Sequence, residues 1–316
     1  MDQIYRLLHN LAYCVFPSLV LLVTSSIPRL GFGQSCEDNV VPRPPGSVSP
    51  GTCRDWIIEY YMFMNDATLR FSKNVENYIK SRPGYPDEII ETLRSECNLS
   101  YDSIIADVGS GTGILSEKFL QNGNPVYGVE PNKEMREAGE RLLKNFPRFK
   151  SINGIAEETT LPANSVDFVT AGQAFHWFDR TLTRVEFARI LQPQGYVVLV
   201  WNEMQSESTP LMIAYEQLLQ IYALDYRQVD HRRIDINIIR EFFDPGYFKF
   251  KQFDNVQVFD YEGLKGRLLS SSYVPQTGHS NYAPLLEGLK EAFQVNQMDG
   301  QVRFIYKTLL YFGQLA

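Results

Sequence analysis

The amino-acid sequence predicts an α/β fold built on an open, mostly parallel sheet with helices on both faces. Apolar segments alternate with amphipathic segments between about residues 103 and 201, a pattern typical of strands that lie buried between two layers of helices. The first apolar segment leads into a glycine-rich turn, and the second ends in an acid, Glu130. Because ligands of such sheets bind where the parallel strands end, these two features indicate a ligand site at that edge.

Hydrophobic periodicity and end signals predict the individual elements. A first helix is expected around residues 86–94. Strands follow at about 103–108, 126–130, 149–155, 166–171 and 196–201, with helices at 113–122, 132–145 and 179–191. Beyond residue 201 we expect helices at 209–222 and 237–243, then strands at 252–261 and 301–312, the last of them antiparallel.

Three of these helices are expected to bury one apolar side each. The inward-facing residues predicted for the helix at 86–94 are Ile89, Ile90 and Leu93. Those predicted for the helix at 132–145, which has an asparagine cap, are Met135, Ala138, Leu142 and Phe146. Those predicted for the helix at 179–191 are Leu182, Val185, Ala188 and Leu191.

Composition restricts the classes of partner. The net charge of −7 argues against nucleic acid, because binding a polyanion requires a basic surface and the longest basic run is Arg232-Arg233. The four cysteines are too few and too scattered for a disulfide-built scaffold, and no Cys or His spacing is typical of zinc. We therefore expect a small-molecule substrate, no nucleic-acid partner and no metal.

The glycine-rich turn has features that select among nucleoside ligands. It reads Asp107-Val108-Gly109-Ser110-Gly111-Thr112-Gly113. The glycines let the backbone approach a ligand, and the following helix points free N–H groups at it. A dinucleotide fingerprint requires glycine where this chain has Ile114, and Asp107 would repel a pyrophosphate but suits an ammonium or sulfonium group. The turn therefore favours S-adenosylmethionine, with Glu130 able to bind ribose hydroxyls.

Further segments carry recognisable motifs. They are RFSKNVENY at 70–78 with RPGYP at 82–86, GIAE at 154–157, GQAFHWFD at 172–179, and LKGR at 264–267 through SYVP at 272–275. From about residue 71 onward the chain resembles the class I S-adenosylmethionine-dependent methyltransferases, in the methyltransferase type 11 branch that includes trans-aconitate methyltransferases. The resemblance implies a Rossmann-like, seven-stranded sheet and a helical lid inserted at about residues 205–248.

The resemblance also implies which residues bind the methyl donor. The glycines would approach it closely, Asp107 would lie near its aminoacyl group, and Glu130 would bind its ribose. The expected cofactor-binding residues are Tyr78, Arg82, Asp107, Gly109, Gly111, Gly113, Glu130, Pro131, Met135, Ala156, Glu157 and Gln173.

Within this set, four residues are expected at the adenine. Pro131 and Met135 would flank the ring, although a methionine on a helix stripe is also typical of a core. Related sequences usually carry a polar residue where this chain has Ile155. Recognition of the adenine edge would therefore come from the backbone N–H of Ala156 and the side chain of Glu157.

The remaining residues are expected at the methionine end. Gln173 would hold the ammonium group, and Tyr78 and Arg82 would close over the ligand, with Arg82 as a carboxylate clamp. His176 is the expected catalytic residue, because it could orient the substrate or act as a base toward a hydroxyl. A histidine among aromatic side chains is also typical of a packed core, and a carboxylate nucleophile would need no base.

The first 61 residues are expected to lie outside an enzyme domain at 62–316. Residues 11–23 are apolar between Arg6 and Arg29, with the length of a signal-peptide core, and residues 25–54 lack periodicity. Export conflicts with an intracellular methyl donor, so we expect a cytoplasmic enzyme without stable membrane association for 62–316. We expect residues 1–61 to be an extension that precedes an enzyme starting at Met62 or Met64. The alternatives are a membrane or organelle anchor and a secretory signal.

A chain that starts at Met64 is expected to bind S-adenosylmethionine as tightly as the full-length chain, because no predicted strand or helix of the sheet comes from residues 1–61. It should also aggregate less, since an exposed apolar stretch is removed. Calorimetry and size-exclusion chromatography of the two chains test this. A tenfold loss of affinity, about 1.4 kcal/mol, would place the boundary elsewhere.

The sequence supports transfer of a methyl group to a small molecule, with a carboxylate or a hydroxyl as acceptor. Two alternatives come from other classes. An NAD(P)-dependent oxidoreductase is disfavoured by Ile114 and Asp107. A protein that binds S-adenosylmethionine without catalysis would have the same fold.

Overall fold

A computed structural model describes residues 79, 81–224, 226, 235–271 and 273–315. The strands in this part are β1 Ile105–Val108, β2 Val126–Val129, β3 Phe149–Ile152, β4 Val166–Gly172, β5 Leu191–Met204, β6 Tyr247–Phe259 and β7 Val302–Gln314. The helices are α1 Glu88–Cys97, α2 Ile114–Gln121, α3 Lys133–Leu142, α4 Arg180–Ile190, α5 Pro210–Tyr222, α6 Ile236–Phe243, α7 Tyr261–Leu269 and α8 Tyr282–Asn296.

The strands form one seven-stranded sheet in the order β3-β2-β1-β4-β5-β7-β6. Only β7 runs antiparallel to its neighbours β5 and β6. The predicted fold class and the antiparallel last strand are therefore confirmed. The strands β1, β2 and β4 have nearly continuous apolar burial, as expected when helices cover both faces of a parallel sheet.

The register of the parallel strands brings the predicted ligand-binding segments to one edge. Val108 at the end of β1 pairs with Val129 at the end of β2, and Asp107 pairs with Thr170 of β4. The glycine-rich turn after β1 and Glu130 after β2 therefore leave the sheet side by side. This is the edge where the sequence predicts a ligand.

Helices cover the two faces of the sheet with separate apolar cores. On one face, Phe187 and Ile190 of α4 and Phe242 of α6 pack against buried residues of the central strands. On the other face, Leu93 of α1 and Phe119 of α2 do the same. The inward face predicted for α1 is confirmed, because Ile89, Ile90 and Leu93 are all buried.

The inward face predicted for α4 is wrong for three of its four residues, since only Leu191 is buried. Leu182, Val185 and Ala188 are exposed, and the helix buries Thr183, Glu186, Phe187 and Ile190 instead. Phe187 and Ile190 bring more apolar surface to the core, which determines the orientation of the helix. Glu186 can be buried among them because it accepts hydrogen bonds from the backbone N–H of Thr159 and from the Arg189 side chain.

The face predicted for α3 is correct for Met135, Ala138 and Phe146, which packs partly buried against the core that contains Leu143, and it is wrong for Leu142. Its predicted asparagine cap is present, since the Asn132 side chain accepts a hydrogen bond from the Met135 backbone N–H, and Met135 and Ala138 are buried. At the end of the helix Leu142 is exposed and Leu143 is buried instead. The backbone leaves helical geometry at Leu143, so the helical spacing no longer determines which side chain points inward.

A third apolar core lies beyond the sheet edge. The helices α5, α7 and α8 pack there with the ends of β6 and β7, and we call this part the helical layer. The sequence did not predict α7 and α8. It predicted one lid at 205–248, which is wrong for α6, because Ile239, Phe242 and Phe243 lie in the core of the sheet. Residues 225 and 227–234 of the predicted lid lie outside the described residues.

Two predictions fall on the N-terminal part of the chain. The proposed extension 1–61 and the predicted ligand contact Tyr78 both lie outside the described residues. Of the helices that the structure describes, none has both the length and the apolar character needed to cross a membrane.

Candidate functional site

The glycine-rich turn has the backbone conformation that the sequence predicts. Gly109, Gly111 and Gly113 have φ of 68°, 57° and 86°, which is the left-handed region that side chains disfavour. The backbone N–H groups of Gly109 and Ser110 donate to the carbonyl of Val129, at 2.8 and 3.1 Å, and so fix the turn against the end of β2. The turn leads directly into the N-terminus of α2.

Space in front of the turn differs among the three glycines. A Cβ atom on Gly111 would meet only the Met135 Cε atom, at 3.9 Å. A Cβ atom on Gly113 would lie 2.5 Å from Leu143 Cδ1, and one on Gly109 would lie 2.5 Å from Ala174 Cβ. A Cβ atom on Gly109 would therefore clash with Ala174, and one on Gly113 would force the Leu143 side chain to shift, whereas Gly111 faces open space.

Gly109→Ala is expected to lower the free energy of unfolding by roughly 2–4 kcal/mol, because it combines left-handed strain with overpacking against Ala174. Urea denaturation measures this change. Gly300→Ala is the matched control, since Gly300 has φ of 76° and a Cβ atom on it would have no neighbour within 4 Å. An equal loss in both variants would mean that strain alone acts and that the contact with Ala174 is unimportant.

Glu130 connects the glycine-rich turn to α3. It is buried, and its two carboxylate oxygens accept hydrogen bonds from the backbone N–H groups of Gly111, at 2.9 Å, and Asn132, at 2.8 Å. Burial raises the pKa of the Glu130 carboxyl, and these two hydrogen bonds oppose that shift. Glu130 therefore lies at the predicted site and also organises it.

Asp107 lies below the turn in the protein interior. Its carboxylate accepts hydrogen bonds from Ser116 Oγ of α2, at 2.6 Å, and from Thr170 Oγ1 of β4, at 3.0 Å. Burial raises the pKa of Asp107 to about 6, although both hydroxyls oppose the shift. Asp107 thus links β1, α2 and β4, and any effect on a ligand's aminoacyl group would act through the field of its charge.

Of the four residues predicted at the adenine, Met135 lies beside the glycine-rich turn. Met135 is buried with its side chain beside Gly111, while Pro131 is exposed at the start of α3. Ala156 belongs to the core of the sheet. Glu157 accepts a hydrogen bond from the backbone N–H of Asp179, at 2.7 Å, and burial raises the pKa of its carboxyl.

The segment after β4 carries the predicted methionine-end residues. Gln173 has φ of 57°, and its side chain donates to the backbone carbonyl of Asn202 at 3.0 Å. His176 lies in a short 3-10 helix, with its ring centroid 4.9 Å from that of Trp177. Both ring nitrogens of His176 are shielded from solvent. Arg82 donates to the carbonyl of Ser270, so it belongs with the end of α7.

A polar network that the sequence did not indicate lies beside Gln173. Asn202 of β5 accepts a hydrogen bond from Thr308 of β7, at 2.6 Å, and one from Asn255 of β6, at 3.0 Å. Asn202 and Asn255 both donate to the carbonyl of Gly84. These residues are 53 or more positions apart in the chain, so no local sequence pattern connects them. A polar residue within each strand was the one feature that could have suggested the network.

Comparison with known families identifies one domain. A family model described as a methyltransferase domain matches residues 106–199, which contain the glycine-rich turn, Glu130 and the segment after β4. The match therefore covers the predicted cofactor-binding residues apart from Tyr78 and Arg82. It does not extend to the helical layer.

Curated relatives match the chain over a similar length. An uncharacterized methyltransferase of Mycobacterium tuberculosis is 37% identical over 137 residues, which is 43% of this chain and 54% of the relative. One of Schizosaccharomyces pombe is 32% identical over 151 residues, 48% of this chain and 59% of the relative. The alignments thus span little more than half of each relative.

Solved structures share the fold. A candidate type II methyltransferase from Anaeromyxobacter dehalogenans has a TM-score of 0.55 at 20% identity, covering 74% of this chain and 98% of that chain. A candidate methyltransferase of antibiotic biosynthesis from Anabaena variabilis has a TM-score of 0.52 at 21% identity, covering 72% of this chain and 97% of that chain. At such identities the similarity concerns the fold alone.

Proposed function

Because residues 106–199 match a family model described as a methyltransferase domain, we propose that this chain is a class I, S-adenosylmethionine-dependent methyltransferase that methylates a small molecule. The observation that carries the proposal is the arrangement around Gly111. Its N–H is held by Glu130, and the space in front of its Cα atom is open. A ligand can therefore approach the turn and the acid together.

The residues present fit S-adenosylmethionine. The open space at Gly111 suits close approach of the ligand to the backbone, and Glu130 beside it suits a ribose. Met135 provides an apolar surface next to the same turn. When bound, the ligand supplies a methyl group on a sulfonium centre that a nucleophile can displace.

The contribution of the protein to such a reaction is alignment and exclusion of water. Gln173 and the neighbouring network at Asn202 fix the end of β4 and the segment at Gly84 with respect to each other. A base is needed only when the acceptor is a hydroxyl group. The predicted base, His176, has both ring nitrogens shielded from solvent, which does not favour direct contact with a substrate hydroxyl. A carboxylate acceptor therefore suits this arrangement better than a hydroxyl acceptor.

Calorimetry with S-adenosylhomocysteine and NAD tests the proposed ligand. We expect binding of S-adenosylhomocysteine in the micromolar range, about 7–8 kcal/mol, and none of NAD. The opposite selectivity would revive the oxidoreductase. A screen of carboxylic acids and phenols with a methyl-labelled donor then tests catalysis. Binding of the donor with no transfer to any acceptor would favour a non-catalytic binding protein.

A further inference from the structure

Arg267 is a buried cation in the helical layer. It belongs to α7, is 6% exposed, and its guanidinium group lies 5.4 Å from the ring centroid of Phe304. Its Nε donates to the Tyr306 hydroxyl at 2.7 Å, and its Nη1 donates to Ser271 Oγ at 3.1 Å. Both strands and helices of the layer therefore contribute to its surroundings.

Among the described residues, no negative charge balances Arg267. Its hydrogen-bond partners are two hydroxyl groups, and no carboxylate among the described residues contacts it. Tyr306 does not supply the negative charge, because burial raises the pKa of this phenol and keeps it neutral. A buried charge without a counter-ion is costly, and buried arginines are normally paired.

A second polar group at this place also lacks a partner. The Tyr215 hydroxyl of α5 is buried without a hydrogen bond to any described residue, and the side chain is 1% exposed. Its ring packs edge-on against Phe304, with centroids 4.9 Å apart, and Arg267 lies over the same Phe304 ring. A buried hydroxyl without a hydrogen bond destabilises the folded protein. An anion that accepts hydrogen bonds would satisfy both Arg267 and Tyr215.

Arg267 and Tyr215 lie along the same edge of the sheet as the proposed methyl-donor site. Tyr306 pairs with Met204 at the end of β5, and Thr308 pairs with Asn202. Tyr306 and Thr308 both point to the buried face of β7, two residues apart, which is roughly 7 Å. The network at Asn202 therefore lies between Gln173 and Arg267, along the same edge of the sheet.

We propose that Arg267, with Tyr215, binds a carboxylate group of the methyl-acceptor substrate, while Tyr306, whose hydroxyl donates to Gln257 Oε1 at 3.0 Å, holds the guanidinium in place. This inference rests on the proposed methyltransferase function and adds the residue that selects the substrate. A single guanidinium balances the single charge of a carboxylate, whereas a phosphate dianion would leave one negative charge buried and unpaired. Since a carboxylate bound to arginine is a poorer nucleophile, this carboxylate anchors the substrate, and a second carboxylate of the same molecule accepts the methyl group.

Thermal unfolding of the full-length protein with carboxylates of two to eight carbons, each paired with its amide, tests the proposal. Inorganic phosphate is included as a second anion. We expect at least one carboxylate, but not its amide, to raise the Tm of the wild-type protein, and the apparent Kd of that carboxylate to weaken at least tenfold in Arg267→Met. Arg303→Met is the matched control, because Arg303 is an exposed arginine of the same strand as Tyr306.

Three results would overturn the inference: a shift that survives in Arg267→Met, a shift caused by phosphate alone, or no shift with any carboxylate. If Arg267→Met fails to fold, Arg267→Lys is used, and it is expected to bind the carboxylate at least threefold more weakly than the wild type does. All measurements are repeated with S-adenosylhomocysteine. A wild-type protein that binds the carboxylate but not S-adenosylhomocysteine would remove the proposed function while leaving the anion site intact.

Discussion

Gly111→Val is expected to abolish binding of S-adenosylhomocysteine, with a loss of affinity of more than a hundredfold. The fold has room for the Cβ atom of the new side chain, since the nearest atom to that position is Met135 Cε at 3.9 Å. That same open space is where the ligand must approach the backbone. The new side chain would therefore occupy the ligand site without disturbing the core. Calorimetry measures the loss, and circular dichroism verifies the fold.

Any valine placed at a position with positive φ strains the backbone. A control variant must therefore measure the effect of this strain alone. Gly123→Val provides it, because Gly123 has φ of 96° and lies after α2, away from the glycine-rich turn. Its nearest neighbour is Tyr101, at 3.5 Å. Equal affinity of Gly111→Val and the wild-type protein would remove this turn from the ligand site.

Glu130→Ala is expected to weaken binding of S-adenosylhomocysteine by roughly 1.5–3 kcal/mol, the range for hydrogen bonds to a charged group. It should also lower the Tm, because the N–H groups of Gly111 and Asn132 lose their acceptor. Glu130→Gln keeps the shape of the side chain and removes its charge, so it measures the contribution of the charge. Glu140→Ala, at an exposed position of α3, is the control. A loss of less than about tenfold, or 1.4 kcal/mol, would make Glu130 a structural residue only.

The part of the fold that the sequence predicts best is local in the chain. The turn at Gly109–Gly113, the acid at Glu130 and the cap at Asn132 each depend on residues that are close in sequence. The backbone conformation and the strand order determine their positions, and both can be predicted from local patterns in the amino-acid sequence. The comparison with known families matches this same region.

Residues brought together by the antiparallel strands and the helical layer could not be predicted in this way. Arg267 meets Tyr306 across 39 positions, and Asn202 meets Thr308 across 106. Each is an ordinary polar residue until the strand register is known. The exposed Leu182 of α4 illustrates the same limit, since periodicity identifies an apolar stripe but not which of two stripes the core accepts.

The hydrogen bonds of Glu130 have a consequence for the energetics of ligand binding. A carboxylate offers about four lone-pair positions, and the N–H groups of Gly111 and Asn132 occupy two of them. Two positions remain, which is the number that a ribose diol would use. A nucleoside would thus gain acceptors without displacing any internal bond. Because the turn is already fixed when the chain folds, its conformational entropy is lost at that stage and does not reduce the affinity.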